Sequence, residues 1–213
     1  MEWNQIPLGP LQTNCYVLSN ENKDCLIFDP GEESGKLSGI IEQNGLKPLA
    51  VILTHAHFDH IGAVDGIRDA FSIPVYIQIH EKEAAWLPDP ALNGSHLFKI
   101  GKLIKARPAD HIITAEQELS IGEFTFKILE TPGHSPGSVS LYFGDAGLVV
   151  AGDALFSGSI GRTDLPGGNQ QQLLESIHNK LLSLPEETEV LPGHGPVTTI
   201  GREMDSNPFL NGF

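Results

Sequence analysis

The chain has 213 residues, 40% hydrophobic and 19% charged, proportions that exclude a disordered chain, a collagen and a coiled coil. Thirteen Lys and Arg stand against 27 Asp and Glu, a net charge of −14, so a nucleic-acid partner, which draws its affinity from neutralised phosphates, is not expected. The longest strongly apolar run, 49–53, is far short of the roughly 20 residues that span a bilayer, and residues 1–4 carry no signal-peptide pattern; no membrane partner and a cytoplasmic address are expected.

Apolar runs at 14–19 and 25–29 predict two strands, and Asp29-Pro30-Gly31 ends the second. A helix follows, with Ser34 as N-cap, Leu37, Ile40 and Ile41 on one face, and Gly45 at its C-terminal cap. The run 48–53 is so continuously apolar that it predicts a strand covered on both faces. Beyond Thr54 a polar loop leads to a helix over about 60–71 and a strand over 74–78. No period shows in 88–111, the expected connector between two halves of one domain, about 1–111 and 112–213. The second half repeats the vocabulary. Strand alternation over 118–130 is interrupted at Gly122, strands follow at 138–143 and 148–151, a helix with a leucine-rich stripe covers 170–184, and a short strand covers 188–191. Two such halves, packed sheet to sheet, predict an α/β protein: a four-layer αββα sandwich of two mixed sheets with helices on both outer faces.

Cys15 and Cys25, on expected neighbouring strands, read as buried reduced thiols. The sparse basic stretch of Lys99, Lys102, Lys105 and Arg107 reads as a solvated face. Four strand ends are different, because each opens into a loop presenting His or Asp: Thr54-His55-Ala56-His57-Phe58-Asp59-His60, Thr131-Pro132-Gly133-His134, Gly152-Asp153 and Pro192-Gly193-His194. One histidine in such a place is ordinary, and His80, His96, His111 and His178 are read that way. Three beside an aspartate, echoed by two Gly-His loops, point to metal. The spacing lets His55 and His57 converge on one ion and turns Asp59 and His60 toward a second. His134 and His194 complete the two sites, and Asp153, with two oxygens, bridges them.

His55-Ala56-His57-Phe58-Asp59-His60 resembles the HxHxDH signature of the metallo-β-lactamase-fold hydrolases, and His134, Asp153 and His194 match that family's remaining ligand positions. Within it the chain resembles the short glyoxalase II-like thioesterases, relatives of hydroxyacylglutathione hydrolase. Further marks are Leu11-Gln12-Thr13-Asn14-Cys15-Tyr16, Phe28-Asp29-Pro30-Gly31, Gly161-Arg162-Thr163-Asp164 and Leu191-Pro192-Gly193-His194-Gly195. The resemblance implies the αββα fold, the same division of ligands and two divalent ions, zinc first, with iron and manganese served by the same donors. It also implies a small-molecule thioester as substrate, an S-lactoyl or other S-acyl adduct of a small thiol. A metal-bridging hydroxide is expected to attack the carbonyl, with Asp59 holding it in line. Only 19 residues follow His194, too few for the helical domain that supplies much of the glutathione site in full-length relatives, so the thiol carrier stays open.

Two further residues are candidates. Asp29 either accepts an N–H from a ligand imidazole or caps its own turn. Arg162 either grips a substrate carboxylate or pairs with Asp164. The rival activities are a mononuclear-iron persulfide dioxygenase and a lactonase on the same fold. A zinc β-lactamase fits less well, because one major group needs Cys where this chain has Asp153. A phosphodiesterase or ribonuclease conflicts with the acidity and with the short Asp153–His194 gap, and flavodiiron proteins carry Glu at the place of His57. A metal-stabilised binding module would use a closed four-ligand site.

Overall fold

The computed structural model describes residues 1–78, 83–98 and 101–211; His80 and Lys99 lie outside the described residues. The chain divides into two compact units, 1–114 with 121–123, and 115–120 with 124–213. The division expected at 111/112 moves because His111–Ile113 is a strand, paired in parallel with Val75–Gln78 and so part of the first unit.

The first unit holds one six-stranded sheet, ordered as in the chain: β1 (Glu2–Leu8), β2 (Thr13–Ser19), β3 (Asp24–Phe28), β4 (Lys47–Leu53), β5 (Val75–Gln78) and β6 (His111–Ile113). The first three are antiparallel neighbours, and β3 to β6 run parallel. Cys15, Val17, Ile27, Val51 and Leu53 belong to one core with Leu37 and Ile41 of helix α1 (Ser34–Gln43) and Ile67 of helix α3 (Val64–Phe71). The residues between them, such as Tyr16, Leu26 and Ile52, are equally buried, so both faces of the central strands are covered.

Two helix boundaries depart from expectation. The N-cap of α1 is Glu33 rather than Ser34; Glu33 adopts a left-handed φ of 56°, and its carboxylate accepts the Gly9 N–H at 2.9 Å. The single helix expected over 60–71 is two, α2 (Phe58–Ile61) and α3, because the Ala63 N–H bonds the Pro30 carbonyl at 2.9 Å instead of continuing the ladder.

The second unit holds β7 (Gln117–Ile121), β8 (Phe124–Glu130), β9 (Val139–Phe143), β10 (Leu148–Gly152), β13 (Glu189–Pro192) and β14 (Thr198–Thr199), in the sheet order β14-β13-β10-β9-β8-β7, with a small hairpin of β11 (Leu155–Phe156) and β12 (Ser159–Ile160). The helix expected over 170–184 starts as α-helix, Gln170–Ser176, capped by Asn169, then widens into a π-helical turn over Ile177–Leu181. That turn keeps Leu173, Ile177 and Leu181 together in a core with Val149, Ala151 and Val190. Strand β1, the two-residue strands and the helix Ile200–Ser206 are too short or too irregularly patterned to have been read from sequence. Among the described residues, no helix is long and apolar enough to cross a membrane.

Candidate functional site

Loops that follow parallel neighbouring strands leave the sheet at the same edge, where ligands collect. In the first unit β3 and β4 are such neighbours, with Phe28 opposite Ile52, which sets Asp29 beside Thr54. Asp29 Oδ1 accepts the Thr54 N–H at 2.7 Å, and its Oδ2 accepts the Thr54 hydroxyl at 2.6 Å and the His60 Nδ1–H at 3.0 Å. Having given its proton to Asp29, the Thr54 hydroxyl faces His55 Nδ1 at 3.0 Å as an acceptor. One buried carboxylate therefore sets two imidazole tautomers, His60 directly and His55 through Thr54. In each neutral ring the lone pair lies on Nε2.

The backbone around Asp29 is built for this. Its φ is 47°, a left-handed conformation that Asp tolerates better than most residues. A side chain at Gly31 would come within 2.0 Å of the Asp59 carbonyl oxygen, so only glycine lets the turn pass this close to α2. The ring centroids of His55 and His57 lie 4.8 Å apart, and those of His55 and His60 lie 4.1 Å apart. Asp59 Oδ2 accepts the Thr13 hydroxyl at 2.9 Å and stands 3.6 Å from His60 Nε2.

In the second unit β8, β10 and β13 share one direction, since β9 is antiparallel to both β8 and β10 while β13 is parallel to β10. The loops after them carry His134, Asp153 and His194. The Gly193 N–H bonds the Gly152 carbonyl at 2.8 Å, joining two of these loops. His134 Nδ1 lies 2.8 Å from the carbonyl oxygen of Arg162; a carbonyl only accepts, so Nδ1 carries the proton and the neutral ring has its lone pair on Nε2. That Nε2 lies 3.5 Å from Asp153 Oδ2, and His194 Nε2 lies 3.6 Å from the same oxygen.

Carboxylate oxygens thus stand against imidazole Nε2 atoms in both units. At His60 and His134 both partners are acceptors, an arrangement that repels unless a cation lies between them. Ligand atoms about 2.0–2.2 Å from a tetrahedral ion stand roughly 3.3–3.6 Å apart, and the three separations agree. The donor set fits divalent metal.

Of the two roles expected of Arg162, the structure forms the pair with Asp164. The guanidinium is bound bidentately by Asp164, Nε to Oδ1 and a terminal nitrogen to Oδ2, both at 2.7 Å, which is the internal pair. Hydrogen bonding to Arg162 holds the Asp164 carboxyl at about 2, so the pair persists until the pH falls through that value. What Arg162 brings to the site is its main-chain oxygen. A side chain at Gly161 would come within 1.8 Å of the Asp153 carbonyl oxygen, so glycine there lets the chain cross close enough for the Arg162 carbonyl to meet His134. Accordingly, Arg162→Ala is expected to leave KM within twofold and the melting temperature within about 2 °C, as for other exposed ion pairs; steady-state kinetics and thermal melts check both.

Neither cysteine is placed to attack a substrate. Both are free and buried; burial, and then the Asp24 charge, pushes the Cys25 thiol up to about 12, and burial raises Cys15 as well. A thiol with a raised pKa stays protonated and unreactive at pH 8. Iodoacetamide at that pH should modify neither residue in the native protein and both in denaturant, as read by intact mass.

Several supports escaped the sequence reading. Thr54, directly before His55, had a positional signal. Thr13 stood in one of the marks of the resemblance without a role of its own; Glu83, which accepts the Ala56 N–H, and Trp86, which packs by the His57 ring, had no signal, being brought in from distant segments.

The family model of the metallo-beta-lactamase superfamily matches residues 8–194. The chain belongs to the metallo-beta-lactamase superfamily. That membership brings the metallo-beta-lactamase fold, with mixed sheets and helices, and metal-dependent hydrolysis as the broad chemistry; the His-rich donors imply divalent ions. The chain is 57% identical to the probable metallo-hydrolase YqgX of Bacillus subtilis over 213 residues, all of this chain and 99% of that one. It is 36% identical to the hydroxyacylglutathione hydrolase GloC of Haemophilus influenzae, over 97% of this chain and 96% of that one. The crystal structure of BLEG-1 B3 metallo-beta-lactamase superposes with a TM-score of 0.95 at 59% identity, covering 99% of this chain and all of that one. TTHA1623 in a di-iron-bound form superposes with a TM-score of 0.85 at 41% identity, covering 97% of this chain and all of that one.

Proposed function

We propose that this metallo-beta-lactamase-superfamily protein is a glyoxalase II-like thioesterase that hydrolyses S-acyl adducts, S-lactoyl among them, of a small thiol. His55, His57 and His134 would hold one divalent ion, Asp59, His60 and His194 a second, and Asp153 would be shared. The observation that carries the metal part is the approach of carboxylate oxygens to imidazole Nε2 atoms at 3.5–3.6 Å, at Asp59 and again at Asp153. The thioesterase part is supported by the likeness to GloC over nearly the full chain.

A divalent pair, when bound, supplies Lewis-acid activation of water and of the acyl carbonyl oxygen. The chain's own residues do the rest. Asp29 and the Arg162 carbonyl keep the imidazoles in the tautomer that offers Nε2. Asp59, steadied by the Thr13 hydroxyl, is proposed to accept a proton from the attacking water. No side-chain nucleophile is required, in keeping with the buried thiols. The departing thiolate is a stable anion and needs no general acid.

β-Lactam hydrolysis is the second reading, favoured by the 59% identity to BLEG-1 B3 metallo-beta-lactamase. One assay separates the two. Protein loaded in turn with zinc, iron and manganese is offered S-lactoylglutathione, other low-molecular-weight acyl thiols, a β-lactam panel, a lactone and, with iron, a persulfide under oxygen. A kcat/KM of at least about 10⁴ M⁻¹ s⁻¹ for a thioester, with the β-lactams at least a hundredfold lower, is expected. The reverse order, or oxygen uptake with one iron per chain, would overturn the thioesterase reading.

A further inference from the structure

A second buried carboxylate touches the histidine-rich loop, on a segment far from it in sequence. Glu83 is fully buried, and its Oε2 accepts the backbone N–H of Ala56 at 3.1 Å. Ala56 is the residue between His55 and His57, so this bond fixes the peptide from which both imidazoles project. Glu83 also acts through its own backbone. Its carbonyl accepts the Trp86 N–H at 2.9 Å, closing the 3₁₀ turn Ala84–Trp86. The Trp86 ring then lies 5.7 Å from the His57 ring at an interplanar angle of 33°. Glu83 is thus tied to the donor loop at two points, the peptide between the histidines and the ring flanking one of them. Asp29 does something different, since it binds His60 and Thr54 but not Ala56. A charged acceptor makes a stronger hydrogen bond to an amide than a neutral one, and a buried carboxylate has to be compensated in this way.

We infer that Glu83 is the positioning residue for the His55–His57 pair, acting through the Ala56 amide, while Asp29 serves His60 and His55 from the other side of the loop. The inference rests on the division of ligands proposed above, because it assigns Glu83 to the ion held by His55, His57 and His134 and not to the ion held by Asp59, His60 and His194.

Two measurements test it on the full-length protein. In the first, Co²⁺ is titrated into metal-free wild type, Glu83→Met and Glu83→Gln, following visible absorption and bound metal. Methionine keeps the length of the side chain and removes the acceptor; glutamine keeps an acceptor oxygen. Outer-shell partners of ligands are worth about 10–100-fold in metal affinity, so Glu83→Met should weaken one of two Co²⁺ ions by that factor, alter its absorption band and leave the other ion within threefold. Glu83→Gln should restore the weakened ion to within threefold of wild type. Equal binding of both ions by Glu83→Met, or a glutamine variant as impaired as the methionine one, overturns the inference. In the second, amide hydrogen exchange at Ala56 is followed in metal-free protein. It should be protected in wild type and in Glu83→Gln, and at least about tenfold faster in Glu83→Met. An Ala56 amide unprotected in wild type overturns the inference without any variant. Wild type that binds fewer than two Co²⁺ per chain overturns the two-ion reading instead, and the exchange result still decides whether Glu83 anchors Ala56.

Discussion

Asp153→Ala is expected to reduce bound metal from two ions per chain to one or fewer and to lower thioester turnover by on the order of a thousandfold, the several kcal/mol of transition-state stabilisation that metal chemistry supplies. The variant should not be destabilised when metal is absent. Asp153 Oδ2 stands 3.5 Å from His134 Nε2 and 3.6 Å from His194 Nε2; with no cation between them, a carboxylate facing the His134 lone pair is repelled, so deleting it removes a repulsion. Metal-free Asp153→Ala should therefore melt at or above the wild-type temperature, while the upward shift on adding Zn²⁺, which reports ligand binding to the folded state, should shrink to a small fraction of the wild-type value. Calorimetry with and without metal reads both quantities. A variant that melts well below wild type without metal and keeps the full metal-induced shift would show that Asp153 is a structural residue.

Asp29 should behave in the opposite way. Its carboxylate accepts three hydrogen bonds in a buried setting, and each donor stranded by its removal costs about 1–3 kcal/mol. Asp29→Ala is expected to destabilise even the metal-free protein, by about 3–5 kcal/mol, and to weaken metal binding about 10–100-fold. Asp29→Asn separates the causes. Asparagine tolerates the left-handed backbone, and its oxygen can still accept the Thr54 N–H, but its amide nitrogen cannot accept from His60 Nδ1 or from the Thr54 hydroxyl. The asparagine variant should thus regain much of the stability lost in alanine and little of the metal affinity. Chelator competition and denaturant titration on the two variants provide the check. Equal metal affinity in Asp29→Asn and wild type would exclude a part for Asp29 in setting the imidazole tautomers.

The parts of the molecule legible in the sequence are those in which local pattern and tertiary role coincide. The continuous apolar run before Thr54 became a strand buried on both faces, and the donor-rich loop after it became the start of α2. What escaped was decided by partners remote in the chain. Nothing in 58–71 announces a helix break after Ile61, because the break is made by the Pro30 carbonyl taking the Ala63 N–H. Ser34 has the chemistry of a cap, yet Glu33 takes that position because Gly9 offers its carboxylate an amide. Arg162 invited a substrate role for its side chain, whereas its main-chain oxygen is what reaches the donor cluster. Glu83 shows the limit most plainly: 27 residues separate it from the amide it holds, and no spacing rule links the two.

The Arg162 carbonyl has a consequence for how such a protein can diversify. Every amino acid presents the same main-chain oxygen, so the identity of the side chain at 162, and of its partner at 164, is uncoupled from the proton placement on His134. Natural drift or a randomised library at these two positions can remodel the charge of the outer surface there and still leave in place the oxygen that meets His134. Position 161 offers no such latitude.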